Sequence, residues 1–120
     1  MVDARRNVKI RADKLARNCY KLTDCFPKYE LYVLTSQLRR AILSVPANII
    51  EGLARNRKKL FLNHVEIAYA SLAESKYFLY FAFTRGYIKE DEYNKTINEA
   101  DEISRMLWSS IMTIKGNINK

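Results

Sequence analysis

The run QLRRAILSVPANIIEG at residues 37–52 constrains the fold more than any other segment, because a helical hydrophobic period there carries a proline in its middle and a polar string alongside. Leu34, Leu38, Ala41, Ile42, Val45 and Ile49 recur at steps of three and four, which stacks them on one face of a helix. Gln37, Arg40, Ser44, Ala47, Asn48 and Glu51 fall away from that stripe. Pro46 has no backbone N–H, and its ring crowds the carbonyl four residues back, so the carbonyl of Ile42 loses its helical partner. A kink or break near Pro46 is the expectation, with Asn48 or Ser44 answering for the local backbone and Gly52 loosening the helix toward its end.

The rest of the chain reads as helix too. Three glycines, two prolines and a hydrophobic fraction of 48% argue against disorder and against a turn-rich β fold. The first helix is predicted from about Arg6 to about Asp24, with Ile10, Leu15, Cys19 and Leu22 inward and Arg5, Arg6, Lys9, Arg11, Lys14, Arg17 and Lys21 outward. Phe26 and Pro27 end it. Pro27 suits the first turn of the next helix, Glu30 suits the positive end of that helix's dipole, and the helix extends to about Leu53. The third runs from about Leu60 to about Arg85, with Asn56 as its available N-cap. Phe61, Val65, Ala68, Leu72, Leu79 and Ala82 form its seam, and small Ala68, Ser71 and Ser75 let a neighbour approach. Gly86 is a left-handed stop. The fourth helix spans about Glu90 to about Ile118, with Tyr93, Ile97, Ala100, Ile103, Leu107, Ile111 and Ile114 inward. Short connections make an all-α, up-down-up-down antiparallel four-helix bundle, a single domain over residues 1–120 with one core.

Charge is unevenly placed. Residues 1–58 hold 13 Lys and Arg against 5 Asp and Glu, whereas residues 59–120 hold 8 of each, so the net +8 lies in the first half. A clustered basic surface attracts polyanions, and each phosphate neutralised adds a counterion-release contribution. Arg39, Arg40 and the connection ARNRKK, with Arg55, Arg57, Lys58 and Lys59, are the candidate RNA contacts, together with the N-terminal arginines. A solvated loop is the plainer alternative. The crowded aromatics Tyr77, Phe78, Tyr80, Phe81 and Phe83 exceed what one helix face can hide, which points to self-association.

Chemistry has few candidates. His64 is the only histidine, and no glycine-rich phosphate loop, paired-cysteine motif or HExxH occurs. Glu66, Glu74 and His64 do not supply the Glu-x-x-His pairs on two helices that a di-metal bundle uses. No catalysis, metal or cofactor is therefore expected. Cys19 and Cys25 lie outside metal-ligand spacing and read as free packing thiols. No apolar stretch approaches the roughly 20 residues needed to span a bilayer, and the N-terminus is too charged for a signal peptide's core, so the expectation is a cytoplasmic protein without membrane contact.

The pattern of Gln37, Arg39, Arg40, Ala41, Ser44, Pro46, Asn48, Glu51 and Gly52 is specific. Read with Phe26, Pro27, Glu30 and Tyr32 before it and FLNHVEIAYASLAES at residues 61–75 after it, it resembles the bacterial 23S rRNA-intervening-sequence proteins. The resemblance runs from about Ile10 to about Ile114. Relatives carry a serine where this chain has Arg57, which bears on the third helix's cap. The accessory variability protein of diversity-generating retroelements is similar in fold. The resemblance implies a homo-oligomeric ring, a pentamer, associated with RNA or with an RNA-handling enzyme, and it does not imply catalysis. On it rests the reading of a non-catalytic oligomer that docks on structured RNA. The alternatives are an adaptor whose main partner is a protein such as a reverse transcriptase, and a purely structural oligomer. Gln37, Ser44, Pro46, Asn48, Glu51 and Gly52 form a structural or subunit-interface motif, with an RNA contact by this string as the alternative.

Overall fold

A computed structural model describes residues 4–118, with side chains from residue 7 onward. Four helices account for nearly all of it: α1 (Ala4–Asp24), α2 (Ser36–Arg55), α3 (Lys58–Thr84) and α4 (Glu90–Ile118). The molecule is long and narrow, with extents of 49 × 26 × 22 Å. α1 packs on α2 and α4, and α3 packs on α2 and α4, so the four surround one core. Touching pairs fix the levels. Ser44 meets Ser71, Asn48 meets His64, and Gly52 sits on Phe61, so numbers rise along α2 as they fall along α3. Phe83 with Tyr93, Lys76 with Asp101 and Glu66 with Lys115 order α3 against α4 in the same opposed sense.

The core follows the helical stripes. Leu15, Leu38, Ile42, Ile49, Leu72, Leu79, Ile103 and Leu107 are fully buried. On α1 the inward positions are Val8, Ala12, Leu15 and Cys19, and Ile10 is exposed because it lies out of phase with that stripe. Ala68 and Ser75 are buried, as their size allows close helix approach.

Helix boundaries depart from the sequence expectation at two junctions. Pro27 stays extended (φ −57°, ψ 143°) just outside a 3-10 turn, Lys28–Glu30, which passes through a π turn, Leu31–Thr35, into α2. Pro27 is thus not in the helix's first turn. Glu30 instead accepts a hydrogen bond from the Tyr87 hydroxyl at 2.9 Å. Asn56 is not the N-cap of α3. It adopts the left-handed conformation (φ 53°, ψ 34°) that closes α2, a geometry asparagine tolerates better than most residues, and Arg57 precedes α3 without a side-chain cap. Gly86 (φ 82°) does end α3: its N–H donates to Phe83 O and that of Tyr87 to Ala82 O, the paired bonds of a Schellman turn.

Pro46 sits inside α2 and does not break it. The Asn48 amide donates to the carbonyl of Ser44 (2.8 Å), two residues on from Ile42, whose carbonyl is the one the proline deprives of a donor.

Candidate functional site

Part of the polar string of α2, Ser44, Asn48 and Glu51, faces α3. Asn48 Nδ2 donates to both Ser44 O and Ser44 Oγ, which leaves Asn48 Oδ1 to accept from His64 Nδ1 at 3.0 Å. An amide oxygen can only accept, so Nδ1 of His64 carries a proton in this arrangement. Ser71 donates to Ser44 (2.9 Å), and Ser75 donates to the Ser71 carbonyl (2.8 Å). Glu51 takes an ion pair from Arg55 at 3.1 Å and lies 3.8 Å from His64 Nε2. Gly52 is where the helices come closest: a Cβ there would lie 2.9 Å from His64 Cβ and 3.0 Å from Phe61 Cδ1. Close approach, and not a loosened helix, is what this position provides. Ser44, Asn48, Glu51 and Gly52 therefore form an α2–α3 seam, whereas Pro46 is buried and Gln37 is exposed.

The candidate basic residues separate into two groups. Arg39 is spent within the fold: Nε donates to Thr23 Oγ1 (2.9 Å), Nη2 pairs with Asp24 (3.0 Å), and the guanidinium lies over the Tyr20 ring at 4.8 Å. Arg40 points outward. The second group lies about 25 Å away, by the rise of α2. Arg55 ends α2, Arg57 occupies the junction, and Lys58 and Lys59 open α3, all four exposed. The ARNRKK segment is thus mostly helix ends, with only Asn56 and Arg57 between α2 and α3. The first turn of α3 has no acidic residue, unlike that of α4 with Glu90, Asp91 and Glu92. Lysines at a helix N-terminus oppose its dipole, so positive charge and unpaired helical N–H groups add at this end. A cleft of about 320 Å³ opens beside it, lined by Gly52, Leu53, Asn56, Arg57, Lys58 and Phe61. The side chains of Arg5 and Arg6 lie outside the described ones.

Other charged groups that the sequence assigned to solvent have structural partners. Arg11 grips Glu99 through Nε and Nη2, both 3.0 Å, and reaches Glu102 at 2.7 Å, tying α1 to α4. These carboxylates hold its guanidinium above the ordinary arginine range. Glu66 pairs with Lys115, Glu74 is exposed, and among the described residues no three His, Cys, Asp or Glu converge to hold a metal ion. Cys19 is buried, which pushes its thiol up to about 12, while Cys25 is exposed and so is not a packing group. Among the described residues no helix is long and apolar enough to cross a membrane.

Outward apolar side chains are numerous. Leu43 and Ile50 on α2, Ile67, Tyr77, Tyr80 and Phe81 on α3, and Trp108 and Met112 on α4 are all exposed. Of the aromatic group on α3, Phe78 and Phe83 are half-buried, and Phe83 stacks on Tyr93 at 4.4 Å. In the sequence the aromatic crowding on α3 signals its outer face, and a second hydrophobic period signals that of α2.

Fold and surface together define a small all-helical bundle whose conspicuous features are one basic end and apolar outer faces. The chain belongs to the 23S rRNA-intervening sequence protein family, whose profile matches residues 5–109. A solved structure from Bacteroides thetaiotaomicron VPI-5482, described as a protein with unknown function from the S23 ribosomal protein family, is similar to it. The two are 25% identical, with a TM-score of 0.84 over 92% of this chain and 99% of the other. Neither description names a catalytic activity. No curated protein matches the chain.

Proposed function

We propose that this protein is a non-catalytic, cytoplasmic homo-oligomer, a pentameric ring by its resemblance, that docks on structured RNA through the basic end of each bundle. The observation that carries the reading is the placement of Arg57, Lys58 and Lys59, exposed and without an acidic neighbour in the first turn of α3. Such an arrangement stabilises nothing in the isolated bundle, because cations there oppose the helix dipole, and it concentrates a field that phosphate would neutralise. Arg55 adds to it once a phosphate competes for its pairing with Glu51. Arg39 contributes less, since Asp24 already neutralises it.

The test is RNA affinity at several salt concentrations for the full chain and for a variant with Arg55, Arg57, Lys58 and Lys59 replaced by glutamine. The variant should bind more weakly and show a shallower dependence of log K on log salt, by about one for each phosphate it no longer neutralises. An unchanged slope removes this end from the interface. A wild-type protein that ignores RNA at low salt removes RNA docking and leaves a protein partner, such as a reverse transcriptase, as the ligand.

A further inference from the structure

We infer that the outer face of α2 is the docking surface for the outer face of α3 on a second copy of this chain, with Arg40 of one copy paired to Glu74 of the next. The inference deepens the proposed self-association by assigning the two faces that meet.

Each face is a heptad seam turned away from the subunit's own core. On α2 the exposed residues Arg40, Leu43, Ala47, Ile50 and Ala54 recur at alternating steps of three and four. On α3 the exposed residues Ile67, Ala70, Glu74, Tyr77 and Phe81 repeat the same steps. A period of 3.5 keeps a seam aligned with the helix axis and is the pattern of a helix that meets another helix. Both helices already bury one stripe in the bundle. A second apolar stripe on each has no use in a monomer, and extended exposed apolar surfaces mark interaction sites.

The levels within the bundle decide which faces fit. Ser44 lies level with Ser71, Asn48 with His64 and Gly52 with Phe61. A neighbouring copy with its long axis parallel, placed around a common axis, keeps those levels. Its α3 then runs antiparallel to the first copy's α2, and Arg40 faces Glu74, Leu43 faces Ala70, and Ala47 faces Ile67. Charge meets opposite charge, and at these two apolar levels a large side chain meets a small one, as interdigitated packing requires. Neither Arg40 nor Glu74 has a hydrogen bond or ion pair within its own subunit among the described residues. A pairing of two α2 faces offers Arg40 no acidic partner on the seam.

The contact is heterologous, joining different surfaces of identical chains, so it propagates from copy to copy. Adjacent corners of a four-helix bundle face directions roughly 90° apart. Successive copies therefore turn around an axis, as in a small ring, and do not run on in a straight row.

Light scattering on the full chain tests this with R40E, E74R and the double variant, after circular dichroism has established that each is as helical as the parent. Each single reversal sets like charges face to face and should weaken self-association by roughly tenfold or more, lowering the particle mass at a fixed concentration. The double variant restores an opposite pair in reversed order and should recover the parent mass. Single variants that keep the parent mass, or a double variant that stays dissociated, overturn the α2–α3 assignment while leaving self-association intact. A parent chain that is monomeric throughout overturns both.

Discussion

Replacing Gly52 by alanine sets two effects of opposite sign against each other. Alanine favours an interior helical position by about 1 kcal/mol over glycine. Against that, the new methyl would lie 2.9 Å from His64 Cβ and 3.0 Å from Phe61 Cδ1. The Phe61 ring can turn aside, but His64 Cβ is anchored to the α3 backbone, so relief requires α3 to move off α2. Overpacking of this kind costs about 1–3 kcal/mol, and the movement also stretches the 3.0 Å bond between Asn48 and His64, worth about 1 kcal/mol. The clash wins. Gly52→Ala should be less stable by about 1–3 kcal/mol, which for a domain of this size lowers Tm by roughly 4–12 °C. Gly116→Ala is the matched control, since its Cβ would have nothing within 4 Å; it should be neutral or stabilising by a few tenths of a kcal/mol. Thermal and urea unfolding at one fixed protein concentration, so that assembly contributes equally, measures both. A Gly52→Ala protein as stable as Gly116→Ala would refute the claim that α3 approaches too closely for a side chain at residue 52.

The cross-helix grip of Arg11 predicts that Arg11→Ala lowers stability by about 1–2 kcal/mol, whereas Arg17→Ala, which breaks only the exposed pair with Asp13, changes it by less than about 0.5 kcal/mol. Equal urea midpoints for the two variants would count against the grip. The thiols should differ in the native state: a thiol reagent at neutral pH should label Cys25 promptly and Cys19 only on unfolding. Because burial holds the Cys19 thiol neutral up to about 12 against an ordinary 9.0, the unfolded chain loses that proton first. Cys19 thus contributes to a fall in stability as pH rises from about 9 to about 12, and Cys19→Ala should flatten that alkaline slope.

Helix number and inward stripes were legible because each helix's core residues repeat at helical period over five to eight turns. Junctions were less so. Asn56 reads equally well as the cap of the next helix or the close of the last, and only the left-handed backbone distinguishes them. Gly52 could not be understood from α2 alone, since its role depends on where Phe61 and His64 lie. Arg11 reads as solvent-facing on a helical wheel, yet its side chain is long enough to reach Glu99, 88 residues on. Arg39 and Arg40 are neighbours in sequence but point about 100° apart, so Arg39 turns to Asp24 and Arg40 to solvent. The outer seams escaped a search for one stripe per helix, although Ala47 and Arg40 already marked that face.

Assembly and RNA docking are coupled by the proposed geometry, and that coupling is open to measurement. Copies joined through parallel axes carry every Arg57, Lys58 and Lys59 on the same rim, because those residues occupy one end of each bundle. Four exposed cations per chain bind RNA weakly, but once one copy has docked, contacts by its neighbours become intramolecular and gain an effective concentration set by their spacing. E74R leaves every candidate RNA contact, Arg40 included, in place. It should nevertheless reduce RNA affinity on the order of 100-fold and make the salt dependence shallower, because fewer phosphates are neutralised per particle. Adding R40E should restore both. An E74R protein that is dissociated yet retains the parent affinity and salt slope would show that a single subunit holds the RNA site, and the ring would then need another purpose.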